Sequence, residues 1–313
     1  MDFPSINDAA CETYNVGHYG LAEAMFRHVL AEDPGDHAAR QNLGLTVLAQ
    51  GRWQEGGALY EARLERKPGP GLPYPRWNGE PLDGKRVLLW PEQGLGDQIM
   101  CARFVPALVE RGCEVTLVCA PTLHRLFAQA LPGKVLAARG TIDFDDPEVW
   151  LWSMSLLAAV GDPQSGRVPY LHAAPKLSGA RIGVATRGSP IHPNDAGRSL
   201  PADLAVELLS LSGTMSLLPE HTGVGDMLDT AEIIAGLDLV ISVDTSIAHL
   251  AGAMGKPVWI LLPGRGPDWR WMRERDDSPW YPSARLFRQG DDADWRPVLS
   301  AVKEALADEE WSA

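Results

Sequence analysis

RVLLWPEQGLGDQ (86–98) and LVISVDTSIAHLAG (239–252) decide the reading of the fold. Each opens on a continuous apolar run, the pattern of a parallel strand buried on both faces, and each turns through a short polar loop into a helix. Outward from the first, a helix is expected from about Asp97 to Arg111, ending at Gly112 and kinked by Pro106 near Ala102. EVTLVC (114–119) follows as a strand and PTLHRLFAQAL (121–131) as a helix, before a less regular stretch to about Leu171. Around the second, RIGVAT (181–186), TMSLL (214–218) and PVWILL (257–262) read as strands, and residues around 201–211, 229–236, 245–254 and 295–309 as helices. Alternating strands and helices imply parallel sheets with right-handed crossovers. The expected α/β architecture is therefore two Rossmann-like domains facing a cleft, residues 86–174 and 175–313.

Before these lies a repeat with a period of 34 over residues 1–68. Gly17 recurs as Gly51, Ala24 as Ala58, Leu30 as Leu64 and Pro34 as Pro68, with Tyr19 matched to Trp53, Phe26 to Tyr60 and Ala10 to Gly44. That period, with small and aromatic positions in phase and a terminal proline, resembles tetratricopeptide repeats. Two repeats are few for an independent array, so they are expected to pack on the next domain. The functional alternative is a groove for a protein partner. KPGPGLPYPRWNGEPLDGK (67–85) is dense in Pro and Gly; residues 69–85 read as a linker or extended arm, with Tyr74 and Trp77 as its anchors.

Composition narrows the function. With 28 Lys and Arg against 41 Asp and Glu, the net charge is −13. Such a field disfavours nucleic acid and anionic membrane surfaces as partners. The four cysteines (11, 101, 113 and 119) form no C-x-x-C pair, and the eight histidines form no metal-binding pattern, so no metal is expected. The sequence has no signal-peptide pattern and no apolar run of membrane-spanning length, which leads to a cytoplasmic expectation.

Ligands of parallel sheets bind outside the carboxyl ends of the strands. In the first such loop, Gly94 and Gly96 let the backbone turn tightly and approach a ligand, and Asp97 opens the helix. Free N–H groups at that start can hold an anion or a hydroxyl oxygen. The third glycine of a dinucleotide fingerprint would fall on Ile99, so that reading fails. Asp97 serves as an N-cap in the plainer reading, or accepts a proton from a developing nucleophile. In the second loop Asp244 ends a strand, and Thr245 and His249 share a helix face. With Ser246 and the free helix-start donors they make a diphosphate cradle. Arg187 and Arg198 follow the strand at 181–186, where either could neutralise a diphosphate. Lys256 does not fit a P-loop, Asp143 and Asp145 read as a turn, and the Trp- and Arg-rich stretch 267–289 reads as a packed edge of the C-terminal subdomain, the alternative being a cover for a nucleotide base or an acceptor site.

EQGLGDQ with its following helix, together with DTSIAHLAGAMGKPVW, resembles the paired motifs of glycosyltransferase family 9, the heptosyltransferase-like enzymes. With the repeats and DWRWMRERDDSPWYPSARLFRQ, the whole chain looks similar to bacterial proteins that fuse tetratricopeptide repeats to such a transferase. The resemblance implies a GT-B fold and a metal-independent, inverting transfer from a nucleotide-diphosphate sugar to a glycan or protein hydroxyl, with no cofactor. It implies that Asp97 acts as general base or orients the acceptor. Gly94, Gly96, Gln98, Asp244, Thr245, Ser246 and His249 are then substrate-binding, with Arg187 or Arg198 on the phosphates. Ser246 departs from the heptosyltransferase glycine, and the segment between Leu218 and Asp229 is short, so donor handling is expected to differ. The rival expectations are a non-catalytic repeat scaffold on a degenerate nucleotide-sugar-binding body, and a nucleotide-sugar hydrolase or epimerase.

Overall fold

The computed structural model describes residues 5–67, 69–162, 167–176 and 179–308. Pro68, the partner of Pro34 in the repeat, and Glu309, the expected end of the last helix, lie outside them.

Four helices come first, as two antiparallel hairpins: α1 (Ile6–Asn15) with α2 (Tyr19–Glu32), and α3 (His37–Leu48) with α4 (Trp53–Tyr60). The repeat positions explain the pairing. Gly17 and Gly51 sit in the two hairpin turns at φ +84° and +79°, a backbone state that disfavours any side chain. At Gly44 a Cβ would lie 2.7 Å from the Tyr60 backbone nitrogen, so α3 and α4 touch there only because the residue is glycine. Ala10, Ala22, Phe26, Ala39, Leu43 and Val47 fill the space between the helices.

The α/β body carries two wholly parallel sheets. In the first, β1 (Arg86–Trp90), β2 (Glu114–Cys119), β3 (Lys134–Ala137) and β4 (Val149–Trp152) lie in the order β3-β2-β1-β4. Its helices are α5 (Leu95–Ala102), α6 (Phe104–Glu110), α7 (His124–Ala130) and the short α8 (Leu156–Ala159). The break between α5 and α6 falls at Arg103, beside the Ala102 carbonyl that Pro106 cannot bond. The stretch read as irregular contains β3 and β4. Lys134–Ala137 mixes polar and small residues on a half-covered edge, and so lacks the long apolar run that marks a buried strand.

The second sheet has β5 (Ile182–Ala185), β6 (Thr214–Ser216), β7 (Leu239–Val243), β8 (Val258–Leu262) and β9 (Ala284–Arg288) in the order β6-β5-β7-β8-β9. Between and after them run α9 (Asp195–Arg198), α10 (Ala202–Leu209), α11 (Pro219–Thr222), α12 (Met227–Ala235), α13 (Ser246–Ala253) and α14 (Arg296–Asp308). Helix α14 settles on this sheet, where Val298, Leu299 and Val302 meet Leu204, Trp259 and Phe287. The strand order reverses between β1 and β4 and between β5 and β7, so the switch points of both sheets open where the two loops singled out above begin.

The Pro/Gly arm is a strap rather than a free linker. Trp150 on edge strand β4 donates its backbone N–H to Pro75 O (3.0 Å), and Trp77 returns one to Trp150 O (2.8 Å). The arm thus continues the sheet past its edge, and Leu72 and Tyr74 cover Leu88, Val118, Trp150 and Trp152 on the outer face.

The two halves do not part at an open cleft. One apolar core runs without interruption from Val87, Leu89 and Ile99 of the first half to Ile260, Trp269 and Tyr281 of the second. Helix α5 packs directly on α13, and a Cβ added to Gly96 would lie 2.6 Å from Cδ2 of His249. Across the same seam Tyr170 donates its backbone N–H to Ala253 O (3.0 Å), Arg103 donates to Trp280 O, and Arg125 pairs with Asp226 (2.9 Å) and Asp229 (3.1 Å). Among the described residues no helix is long and apolar enough to cross a membrane.

Candidate active site

The β1 loop runs through Glu92 to Gln93, at φ +60°, and enters α5 at Gly94. Asp97 Oδ2 accepts the Gly94 N–H at 2.9 Å, reaching back over the first turn as an N-terminal carboxylate does. Its other oxygen is not free: Oδ1 pairs with Arg270, whose side chain is only 4% exposed. Arg270 also pairs with Asp268 Oδ2 at 2.7 Å, lies 4.6 Å from the Trp269 ring centroid, and points Nε at the Met100 sulfur at 2.8 Å. Burial opposes the Arg270 charge, but Asp268 and Asp97 outweigh it and raise its pKa further. Gln98 faces inward, its Oε1 accepting the Ala120 N–H at 2.8 Å just past the end of β2.

At the end of β7, Thr245 caps α13 by accepting the Ile247 N–H at 3.3 Å, and its hydroxyl lies 3.2 Å from that of Ser242. Ser246 stands half-buried at the first position of α13. Burial pushes the Asp244 carboxyl up to about 7, with Asp268 adding to the rise, while Trp271, Arg270 and Arg198 oppose it. His249 lies deeper than a ligand-facing residue would. Its Nδ1 is 2.9 Å from Tyr281 Oη, and its ring centroid is 5.2 Å from that of Trp271. Burial first, then Arg270, Arg103 and Arg198, holds its pKa well below the usual imidazole value, so the ring is neutral. It lies in the seam, against Gly96 of the first half and Tyr281 and Trp271 of the second.

The two arginines after β5 separate cleanly. Arg198 is largely buried and donates Nη1 to Asp244 O at 2.9 Å, lying over the end of β7. Gly188 leaves room for its guanidinium, because a Cβ there would overlap it. Arg187 turns outward, half exposed, and pairs with Glu220. Of the decoys, Lys256 donates to Leu237 O (2.7 Å) and Asp145 pairs with Lys134 (2.7 Å). The sequence reading missed Asp268 and Arg270. Their only signal was an Arg flanked by two tryptophans in a segment read mainly as packing; of its five arginines Arg270 is the one that reaches Asp97.

Three strand ends thus converge: Asp97 after β1, Arg198 after β5 and Asp244 after β7, with Asp268 and Arg270 entering from the segment after β8. No group of three or more potential metal ligands is present among the described residues.

Residues 216–267 match the family model described as glycosyltransferase family 9 (heptosyltransferase). That segment holds β7, α13 and β8, with Asp244, Thr245, Ser246 and His249; Asp97, Arg198 and Arg270 lie outside it. Among curated proteins, protein FlbA of Caulobacter vibrioides is 28% identical over 337 aligned positions, covering 88% of this chain and 56% of FlbA. The chain therefore spans little more than half the length of that relative. Among solved structures, a family 9 glycosyl transferase from Veillonella parvula aligns at 12% identity and a TM-score of 0.46, covering 72% of this chain and 93% of that one. The E. coli ADP-heptose LPS heptosyltransferase II aligns at 13% identity and a TM-score of 0.44, covering 71% and 98%.

Proposed function

We propose that the chain is a metal-independent, inverting glycosyltransferase of the family 9 kind, moving a sugar from a nucleotide diphosphate to a hydroxyl of a glycan or protein. The observation that carries this reading is the meeting of Asp97, Arg198 and Asp244 at the carboxyl ends of β1, β5 and β7. In this reading the donor diphosphate lies at the start of α13, against the Ser246 end and the Arg198 guanidinium. Arg198 then stabilises the charge that develops as the bond from the anomeric carbon to the phosphate oxygen breaks. The acceptor hydroxyl attacks that carbon from the opposite face, and its proton passes to Asp97. Asp244, with a carboxyl that titrates close to neutrality, can either accept or donate a hydrogen bond to a sugar hydroxyl. In this reading closure of the halves around the donor excludes water, which would otherwise hydrolyse it.

Thermal-shift titration with a panel of nucleoside diphosphates, followed by transfer assays with the one that binds, tests this. Asp97→Asn is expected to abolish transfer and leave nucleotide binding within about twofold, because the general-base contribution alone is worth roughly 10²–10⁴ in rate. Full turnover by Asp97→Asn refutes the base assignment.

One observation favours a second reading, a body that binds a nucleotide sugar without turning it over. Both Asp97 oxygens are already engaged, one by the Gly94 N–H and the other by the buried Arg270. Nucleotide binding by wild-type protein, without transfer to any acceptor in cell extract, supports that reading. Release of free sugar without an acceptor supports hydrolysis instead.

A further inference from the structure

The N-terminal helices grip both segments that build the Asp97 site. On the β1 loop, Arg63, just after α4, pairs with the buried Glu92 (Nη2 to Oε1 2.6 Å, Nε to Oε2 3.3 Å), and Gln93 Nε2 donates to Tyr60 Oη at 2.7 Å. These are the two residues immediately before Gly94, whose N–H anchors Asp97. On the segment after β8, Trp53 packs against both Trp269 (centroids 6.3 Å) and Trp280 (5.3 Å), the rings on either side of the Arg270–Trp271 stretch. The two hairpin turns, alike in the repeat, meet consecutive residues of the same segment: Gly17 lies against Arg273 and Gly51 against Met272. Asn15 O accepts the Gly266 N–H at 2.9 Å, and Glu12 pairs with Arg265.

We propose that Arg270 is the positioning residue for the Asp97 carboxylate, and that the helices, through Tyr60 and Trp53, keep Asp97 and Arg270 in register. The repeat is then one wall of the site rather than an appendage, and the turn edge of both hairpins is occupied by the chain's own residues 264–281. The physical need is clear. Asp97 has one oxygen on the Gly94 N–H and the other on Arg270, so its free lone pairs point in a direction set by where Arg270 stands. Arg270 is held in turn by Asp268 and by the Trp269 ring. No covalent or secondary-structure link joins residue 97 to residue 270; their separation is set by the α5–α13 seam, where Gly96 meets His249 and His249 meets Trp271, and by the helices, which also touch both segments.

This rests on the transferase reading for its effect on rate, but the coupling itself is measurable without turnover. Hydrogen exchange by mass spectrometry on the full chain compares wild type with Trp53→Ala, Trp53→Phe, Tyr60→Phe, Arg270→Gln and Arg270→Lys. Trp53→Ala and Arg270→Gln are expected to speed exchange of the 92–98 turn by about tenfold or more, as local opening becomes easier. Trp53→Phe and Arg270→Lys are expected to recover most of that protection, and Tyr60→Phe to give a smaller increase confined to the same turn. Circular dichroism excludes global unfolding. In transfer assays, Arg270→Gln and Trp53→Ala should lower kcat at least tenfold with donor KM within twofold, and the conservative variants should restore it. Unchanged exchange of residues 92–98 in both Trp53→Ala and Arg270→Gln overturns the coupling. Altered exchange with no transfer by wild type sinks the transferase reading and leaves the coupling standing. Altered exchange with kcat unchanged refutes the positioning role.

Discussion

Replacing Arg63 with Met isolates the strongest buried charge pair between the helices and the body. Arg63 and Glu92 side chains are 6% and 1% exposed, and the guanidinium spans both carboxylate oxygens. Ser155 Oγ accepts a further bond from Arg63 at 3.1 Å. In Arg63→Met, Glu92 keeps only the Met154 N–H at 3.1 Å and Lys67 Nζ at 3.3 Å, and Lys67 is one-third exposed. Removing one partner of a buried pair costs about 3–5 kcal/mol, because the remaining charge is left in a medium that solvates it poorly. Lys67 places the expected loss near the lower end, about 3 kcal/mol. At roughly 2 °C per kcal/mol for a chain of this size, the melting midpoint should fall by about 6 °C. Scanning calorimetry on wild type, Arg63→Met, Glu92→Met and the double variant reads this directly. The double variant should recover at least half of the single loss, since it buries no lone charge. A midpoint for Arg63→Met within a degree of wild type, or strictly additive losses in the double variant, would refute the reasoning.

Gly96→Ala should destabilise by about 1–3 kcal/mol in chemical denaturation, because its Cβ meets a His249 ring already confined by Trp271 and Tyr281; a neutral effect would mean that the seam yields. Asp244 carries a carboxyl raised from 3.8 to about 7 in the folded chain, so the folded state holds this proton more tightly than the unfolded state does. Its contribution to stability is present below about pH 4 and fades as pH rises to about 7; Asp244→Asn should flatten the stability profile across that window, and an unchanged slope refutes the assignment. Gly44→Ala should loosen the α3–α4 hairpin, since the Tyr60 backbone leaves no space for a methyl group, and tryptophan fluorescence of the helix–body contact should report it.

Much of the fold was legible because its strongest signals are local. The apolar runs of β7 and β8 are buried along their whole length and β1 through its three central residues, and burial on both faces writes itself into successive residues of a strand. The break at Arg103 followed from one missing amide at Pro106. The turn glycines showed through the 34-residue period because both hairpins need the same positive φ. Strands β3, β4 and β9 were missed for the opposite reason. β3 and β4 have four residues each, and the places of all three are settled by neighbours: β4 is paired on its free side by the Pro/Gly arm, and β9 sits beyond β8 after a long loop.

The candidate site divides along the same line. Asp97, Asp244 and Thr245 could be named as candidates because a carboxylate or hydroxyl at a strand-to-helix turn is a local pattern, and the structure places all three at such turns. Choosing Arg198 over Arg187 required knowing which one lies over β7 and which reaches Glu220. Finding His249 inside the seam, and Arg270 on Asp97, required contacts across 153 and 173 residues of chain. By itself, then, the sequence determined the elements, the parallel sheets and the two loops where chemistry can occur, because backbone propensity and burial period act over a few residues. Whether those loops face an open cleft or close on one another, and which guanidinium neutralises which carboxylate, was decided only in three dimensions. Charge pairing and desolvation depend on distance through space, and nothing in a residue's chain neighbours encodes that distance.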